Sequence, residues 1–184
     1  QTPVNYNFSQ TKLNLLDDRN QISSVIRNLN PDVVVNTVAY PNVDFCETNQ
    51  DKANLLHVLI TNDLVSVCSD ISCPLVYFST DAVFDGTKSK KYTEDDCVSP
   101  LSYYGKTKFE AEKILLKTSK NIILRTTVVY AWHIRSRFTN WVLKNLKQGN
   151  KITAFTDQQN TPTLASDISH SLFYLLKQNN SGLF

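Results

Sequence analysis

The sequence predicts an α/β domain, a parallel sheet with helices on both faces, and three observations predict it. Apolar runs of strand length, VVVNTVA (33–39), LVYFS (75–79) and IILRTTVV (122–129), alternate with segments whose apolar residues recur at helical spacing. The runs are too continuous for strands with one wet face, which is the mark of strands covered on both sides. The length, 184 residues, suffices for one well-buried core, so a single domain is expected over 1–184.

The elements follow in order. A helical pattern spans 19–29, and Pro31-Asp32 then leads into the β-branched run 33–39, read as a central strand. From Asp51 to Ser69, Ala53, Leu56, Ile60, Leu64 and Val67 keep helical spacing, and Pro74 follows the end. The strand 75–79 comes next, then a polar loop rich in Asp, Lys and Ser. Ser99 and Pro100 read as the start of a further helix, because Pro tolerates the first turn and Ser accepts a bond from an orphan amide. On it Tyr104, Lys108, Ala111 and Leu115 recur at spacings of four, three and four, which puts them on one face. The strand 122–129 follows, then a helix over 138–146, a short ITAF strand (152–155) and a helix over 167–177.

Helices bounded by such strands form βαβ units, whose right-handed crossovers place helices on both faces of the sheet. In sheets of this kind the ligand lies outside the carboxyl ends of the strands. Chemistry is therefore expected at Thr37 to Tyr40, at Ser79 to Asp81 and at Thr127 to Tyr130.

Composition narrows the classes. The charges nearly cancel, 19 basic against 17 acidic, with no broad basic stripe, so nucleic acid is not an expected partner. No apolar run approaches the eighteen or so residues that span a bilayer, and the amino end has no signal-peptide shape. A soluble, cytoplasmic protein is expected. Cys46, Cys68, Cys73 and Cys97 form no C-x-x-C pair, and His57, His133 and His170 lack metal-ligand spacing, so neither a metal nor a disulfide framework is expected. Glycine appears only four times, with no Gly-rich phosphate loop, and methionine is absent.

Tyr104 is the only tyrosine with a lysine four places on. That spacing alone fits a half-buried tyrosine beside a solvated lysine as well as it fits chemistry. FSTDAVFDG, from Phe78, adds the hydroxyls of Ser79 and Thr80 at the same predicted crevice. With PDVVVNTVAYPNVDFCE, SYYGKTKFEAE, ILRTTVVY and TDQQNTPT, these blocks resemble the extended short-chain dehydrogenase/reductases, in the branch of the dTDP-4-dehydrorhamnose reductases.

The resemblance implies a Rossmann-like domain whose small substrate-binding portion comes from 131–184, and NADPH- or NADH-dependent reduction of the 4-keto group of a nucleotide sugar. Reducing a ketone needs a hydride at carbon and a proton for the developing alkoxide. A phenol can supply that proton, and an adjacent ammonium lowers a reference pKa near 10 that is otherwise too high. The resemblance assigns Tyr104 as the acid, Lys108 as its modulator and nicotinamide-ribose ligand, and Thr80 as the hydroxyl that binds the carbonyl. It places Val38, Ala39, Tyr40, Ser79, Tyr104 and Lys108 beside the cofactor, and Thr80, Asp81, Asn140 and Gln158 at the substrate. Arg135 and Arg137 could meet a diphosphate with planar forks or form a solvated pair. A homodimer is compatible with this reading.

Departures accompany the resemblance. The family begins with a strand and a Gly-rich turn that seats a pyrophosphate, whereas this sequence starts at what resembles the third strand, LNLLDD (13–18), and stops before the family's carboxyl end; the domain is expected to be incomplete at both ends, without its first βαβ unit. His57 stands where Asn is usual, Ala82 where Tyr is common, and Asn160 replaces Gly. Two rivals remain beside the reductase. One is a nucleotide-sugar epimerase or dehydratase, whose added acidic groups Asp81 alone hardly supplies. The other is a regulatory subunit similar to the β subunit of methionine adenosyltransferase.

Overall fold

The computed structural model describes residues 10–133, 136–154 and 156–184, with the backbone alone for Arg137. Arg135, the Arg137 side chain and Phe155 of the expected ITAF strand lie outside the described residues. Four parallel strands form the main sheet in the order β1 (Val34–Asn36), β2 (Leu75–Thr80), β3 (Ile122–Thr126) and β6 (Gly182–Leu183). The helices are α1 (Ile22–Leu29), α2 (Val43–Thr48), α3 (Gln50–Asn54), α4 (Ile60–Asp70), α5 (Tyr103–Leu115), α6 (Arg137–Lys147) and α7 (Ala165–Lys177). A second, two-stranded parallel sheet pairs β4 (Val129–Tyr130) with β5 (Thr163–Leu164).

Side-chain alternation along β2 divides the core. Leu75 and Tyr77 pack with Ile22, Ile60, Leu64, Ala111 and Leu115, the inward faces of α1, α4 and α5. Val76 packs with Ile122, Leu124, Ile168 and Leu172, which brings α7 onto the opposite face. The expected parallel sheet between helices is therefore present, and each fully buried Ile or Leu stabilises it by about 1.5–3 kcal/mol.

Several boundaries differ from the sequence expectations. The 33–39 run pairs only over Val34–Asn36, and β1 is an edge strand among the described residues, with Val35 43% exposed. LNLLDD forms turns rather than a strand, and 152–154 carry no strand. The third run stops at Thr126 because Val128 takes a left-handed φ of 40°, a costly conformation for a β-branched residue that turns the chain into the second sheet. The helix expected from Asp51 is interrupted by a π turn over Leu55–Leu59. Helix α5 begins at Tyr103, with Ser102 rather than Ser99 as its cap: the Ser102 hydroxyl accepts from the Gly105 amide at 3.1 Å.

Candidate active site

Strand β2 ends by delivering Ser79 and Thr80, both buried, at the carboxyl edge of the sheet. The Thr80 hydroxyl accepts from the Ala82 amide at 3.1 Å and lies 3.1 Å from Asp81 Oδ1, so it caps the short 3-10 turn Asp81–Val83. Helix α5 comes down onto that turn so closely that a Cβ on Gly105 would meet the Ala82 carbonyl oxygen at 2.2 Å. No residue but glycine fits there. Gly105→Ala is expected to push α5 off the turn and Tyr104 away from Thr80, destabilising the fold by about 1–3 kcal/mol, the scale of overpacking. Chemical denaturation checks the first effect and turnover the second; a variant matching the parent in both would show that α5 yields freely.

The face predicted for α5 is the buried one. Ala111 and Leu115 are fully inside, and Lys108 is 2% exposed, too deep for its head to reach water along the surface. Its ammonium donates to the Phe78 carbonyl oxygen at 2.5 Å and stands 3.9 Å from the centre of the Tyr77 ring. Burial pulls Lys108 down to about 7, with Glu112 acting in the opposite sense. Glu112, one turn on and fully buried, is gripped by Arg125 of β3: Arg125 Nη2 reaches Oε2 at 2.7 Å and Nε reaches Oε1 at 3.0 Å. The Ser79 hydroxyl donates to the same carboxylate. A bidentate fork from one strand, a hydroxyl from the next and a carboxylate from the helix thus fix the floor below Thr80 and Lys108.

Tyr104 occupies the first turn of α5. Burial raises its phenol above the ordinary value, while the nearby Thr80 hydroxyl works against that rise. This differs from the expected lowering by Lys108, whose ammonium is turned to the Phe78 carbonyl. On its other side the Tyr104 ring meets the His57 ring edge-on, with centroids 5.7 Å apart. His57 is buried and held down to about 4, by burial first and then by the charge of Lys108.

The structure therefore gathers Ser79, Thr80, Tyr104 and Lys108 at one carboxyl edge. Val38, Ala39 and Tyr40 follow β1 at the same end of the sheet: Asn36 Oδ1 accepts from the Val38 amide at 3.0 Å, and the Tyr40 amide donates to His57 Nε2 at 2.9 Å. Asp81 is exposed beside Thr80. Asn140 and Gln158 stand instead on the elements around the second sheet, Asn140 on α6 and Gln158 in the exposed loop before β5. Arg125, Glu112 and Gly105 are not among the site residues expected from the sequence. The available signals were a lone charge in an apolar run and a carboxylate four residues after Lys108, on the same face.

Among the described residues no group of His, Cys, Asp and Glu could hold a metal ion, and no helix is long and apolar enough to cross a membrane. Residues 4–184 match the family described as RmlD substrate binding domain. The dTDP-4-dehydrorhamnose reductase of Salmonella typhimurium is 33% identical over 169 residues, 89% of this chain and 56% of that protein. A probable low-salt glycan biosynthesis reductase of Haloferax volcanii is 32% identical over 174 residues, 92% of this chain and 58% of that protein. The crystal structure of dTDP-4-dehydrorhamnose reductase from Bacillus anthracis in complex with NADP superposes with a TM-score of 0.84 at 25% identity, covering 90% of this chain and 59% of that one. The chain thus spans somewhat more than half the length of these relatives.

Proposed function

The chain belongs to the RmlD substrate binding domain family, and from that premise we propose that the protein reduces the 4-keto group of a nucleotide sugar with NADPH or NADH, converting dTDP-4-dehydro-L-rhamnose to dTDP-L-rhamnose. The observation that carries the proposal is the convergence of Thr80, at the end of β2, with Tyr104 and the deeply buried Lys108 of α5.

The residues present fit a nicotinamide group. Val38 is 43% exposed where β1 ends, and the Tyr40 amide is linked through His57 and Thr107 to the helix that bears Tyr104. These three backbones, with Ser79 and Lys108, would hold it. When bound, the reduced group supplies a hydride. The Thr80 hydroxyl binds the substrate oxygen, and the Tyr104 phenol gives that oxygen its proton as negative charge builds. A phenol is protonated at neutral pH, the state a donor needs, and burial shifts it further toward that form. Lys108, its ammonium fixed on the Phe78 carbonyl, takes its part on the side of the nicotinamide half. Asp81, Asn140 and Gln158 are proposed to meet the sugar nucleotide, with 131–184 forming the substrate portion. A cytoplasmic location and a homodimer belong to the same proposal.

The test is oxidation of reduced nicotinamide by the full-length protein with dTDP-4-dehydro-L-rhamnose, followed by absorbance, with mass spectrometry of the product. A product heavier by two hydrogens is expected. Oxidation with a UDP-linked 4-keto sugar alone would overturn the substrate, and oxidation with neither would overturn the reductase reading.

A further inference from the structure

The backbone that ends β1 and the helix that carries Tyr104 are joined through one side chain. His57, 1% exposed, lies on the π turn Leu55–Leu59, a local geometry that re-aims a side chain and recurs at functional sites. Its Nε2 is 2.9 Å from the Tyr40 amide, which can only donate, so Nε2 is the bare nitrogen and the proton of the neutral ring is on Nδ1. Nδ1 lies 2.8 Å from Thr107 Oγ1, and the Thr107 hydroxyl donates to the Tyr104 carbonyl at 2.9 Å. The chain of bonds runs in one direction without conflict: Tyr40 amide to His57, His57 to Thr107, Thr107 to Tyr104. Burial keeps the ring neutral, the form the chain requires.

We propose that His57 is a positioning residue, a clamp whose ring holds the Val38–Tyr40 backbone at a fixed distance from the helical turn bearing Tyr104. The proposal rests on the reductase reading of this site, in which that backbone lies beside the nicotinamide and Tyr104 gives the proton. A histidine that only filled space would be replaceable by a ring of similar size. The clamp needs an acceptor toward Tyr40 and a donor toward Thr107.

Three variants of the full-length protein separate these cases. His57→Phe keeps a ring and removes both bonds, His57→Gln returns an acceptor toward the Tyr40 amide, and Thr107→Val cuts only the link to α5. Hydrogen exchange at the Tyr40 amide is expected to quicken about tenfold or more in His57→Phe and to return toward the parent rate in His57→Gln. The KM for reduced nicotinamide should rise and kcat fall in His57→Phe, each by about tenfold, within the up to 10²-fold that a misplaced group costs. His57→Gln should recover KM more than kcat, and Thr107→Val should lower kcat with KM little changed. Unchanged Tyr40 exchange in His57→Phe overturns the clamp. Faster exchange with parental kcat and KM overturns the positioning role. If His57→Phe does not fold, Thr107→Val decides the matter: a lowered kcat with near-parental KM and Tyr40 exchange supports the clamp, and a parental kcat overturns it. If the parent neither binds nor oxidises the cofactor, the reductase reading fails, while Tyr40 exchange still decides whether the clamp exists.

Discussion

Tyr104→Phe is expected to fold as the parent does and to lose about 10²- to 10⁴-fold in the rate of the chemical step, the contribution of a positioned acid. The change removes one hydroxyl and keeps the ring, so the edge-on contact with His57 survives. Stability should fall by about 1 kcal/mol, the scale of one hydrogen bond. Cofactor affinity should change little, because the groups proposed to hold the nicotinamide half are the Val38–Tyr40 backbone, Ser79 and Lys108. Lys108→Ala, in contrast, should weaken both turnover and cofactor binding. Single-turnover oxidation of the reduced cofactor with a 4-keto dTDP-sugar gives the rate directly, free of product release. A Phe variant that turns over at the parent rate would make the phenol structural and remove the proposed mechanism.

The contrast between Tyr104 and its supports shows what the sequence carries. Strand β2 and helix α5 were legible because apolar continuity and a four-three-four spacing are local properties, and the structure buries the face they define. The extent of β1 was not legible. VVVNTVA is apolar but for Asn36 and Thr37, yet only three of its residues find partners on β2, and hydrophobicity does not say which neighbour a strand has. The start of α5 was legible only to within a turn, since Ser99 before Pro100 reads as the cap in the sequence. The choice fell to Ser102, and α5 then runs against the 81–83 turn, an approach that only the folded chain displays. His57 reads in the sequence as a substitution for an asparagine. Its partners lie 17 and 50 residues away, beyond the reach of any periodicity.

The ion pair beneath the site follows the same logic and makes the second large prediction. Arg125 and Glu112 are 8% and 0% exposed, so cutting the pair leaves a charge in a place that water does not reach. Arg125→Met should destabilise the protein by about 3–5 kcal/mol, because Glu112 would keep the Ser79 hydroxyl but lose its counter-ion. Arg125→Lys should cost less, since it retains the charge, yet it should not match the parent because an ammonium cannot reproduce the two-pronged fork. Adding Glu112→Leu to Arg125→Met removes both charges together, and much of the lost stability should return. Activity should not return with it. Glu112 is the group that holds the Lys108 value up against burial, so without it the lysine stays uncharged to lower pH. A neutral Lys108 is a weaker ligand for the nicotinamide half that it is proposed to hold. Denaturant midpoints for the three variants and single-turnover rates for the double variant test both halves. Arg125→Met within about 1 kcal/mol of the parent would mean that the carboxylate finds another partner or a proton. A fully active double variant would mean that Lys108 keeps its charge without Glu112, so that the floor below Thr80 serves the fold alone.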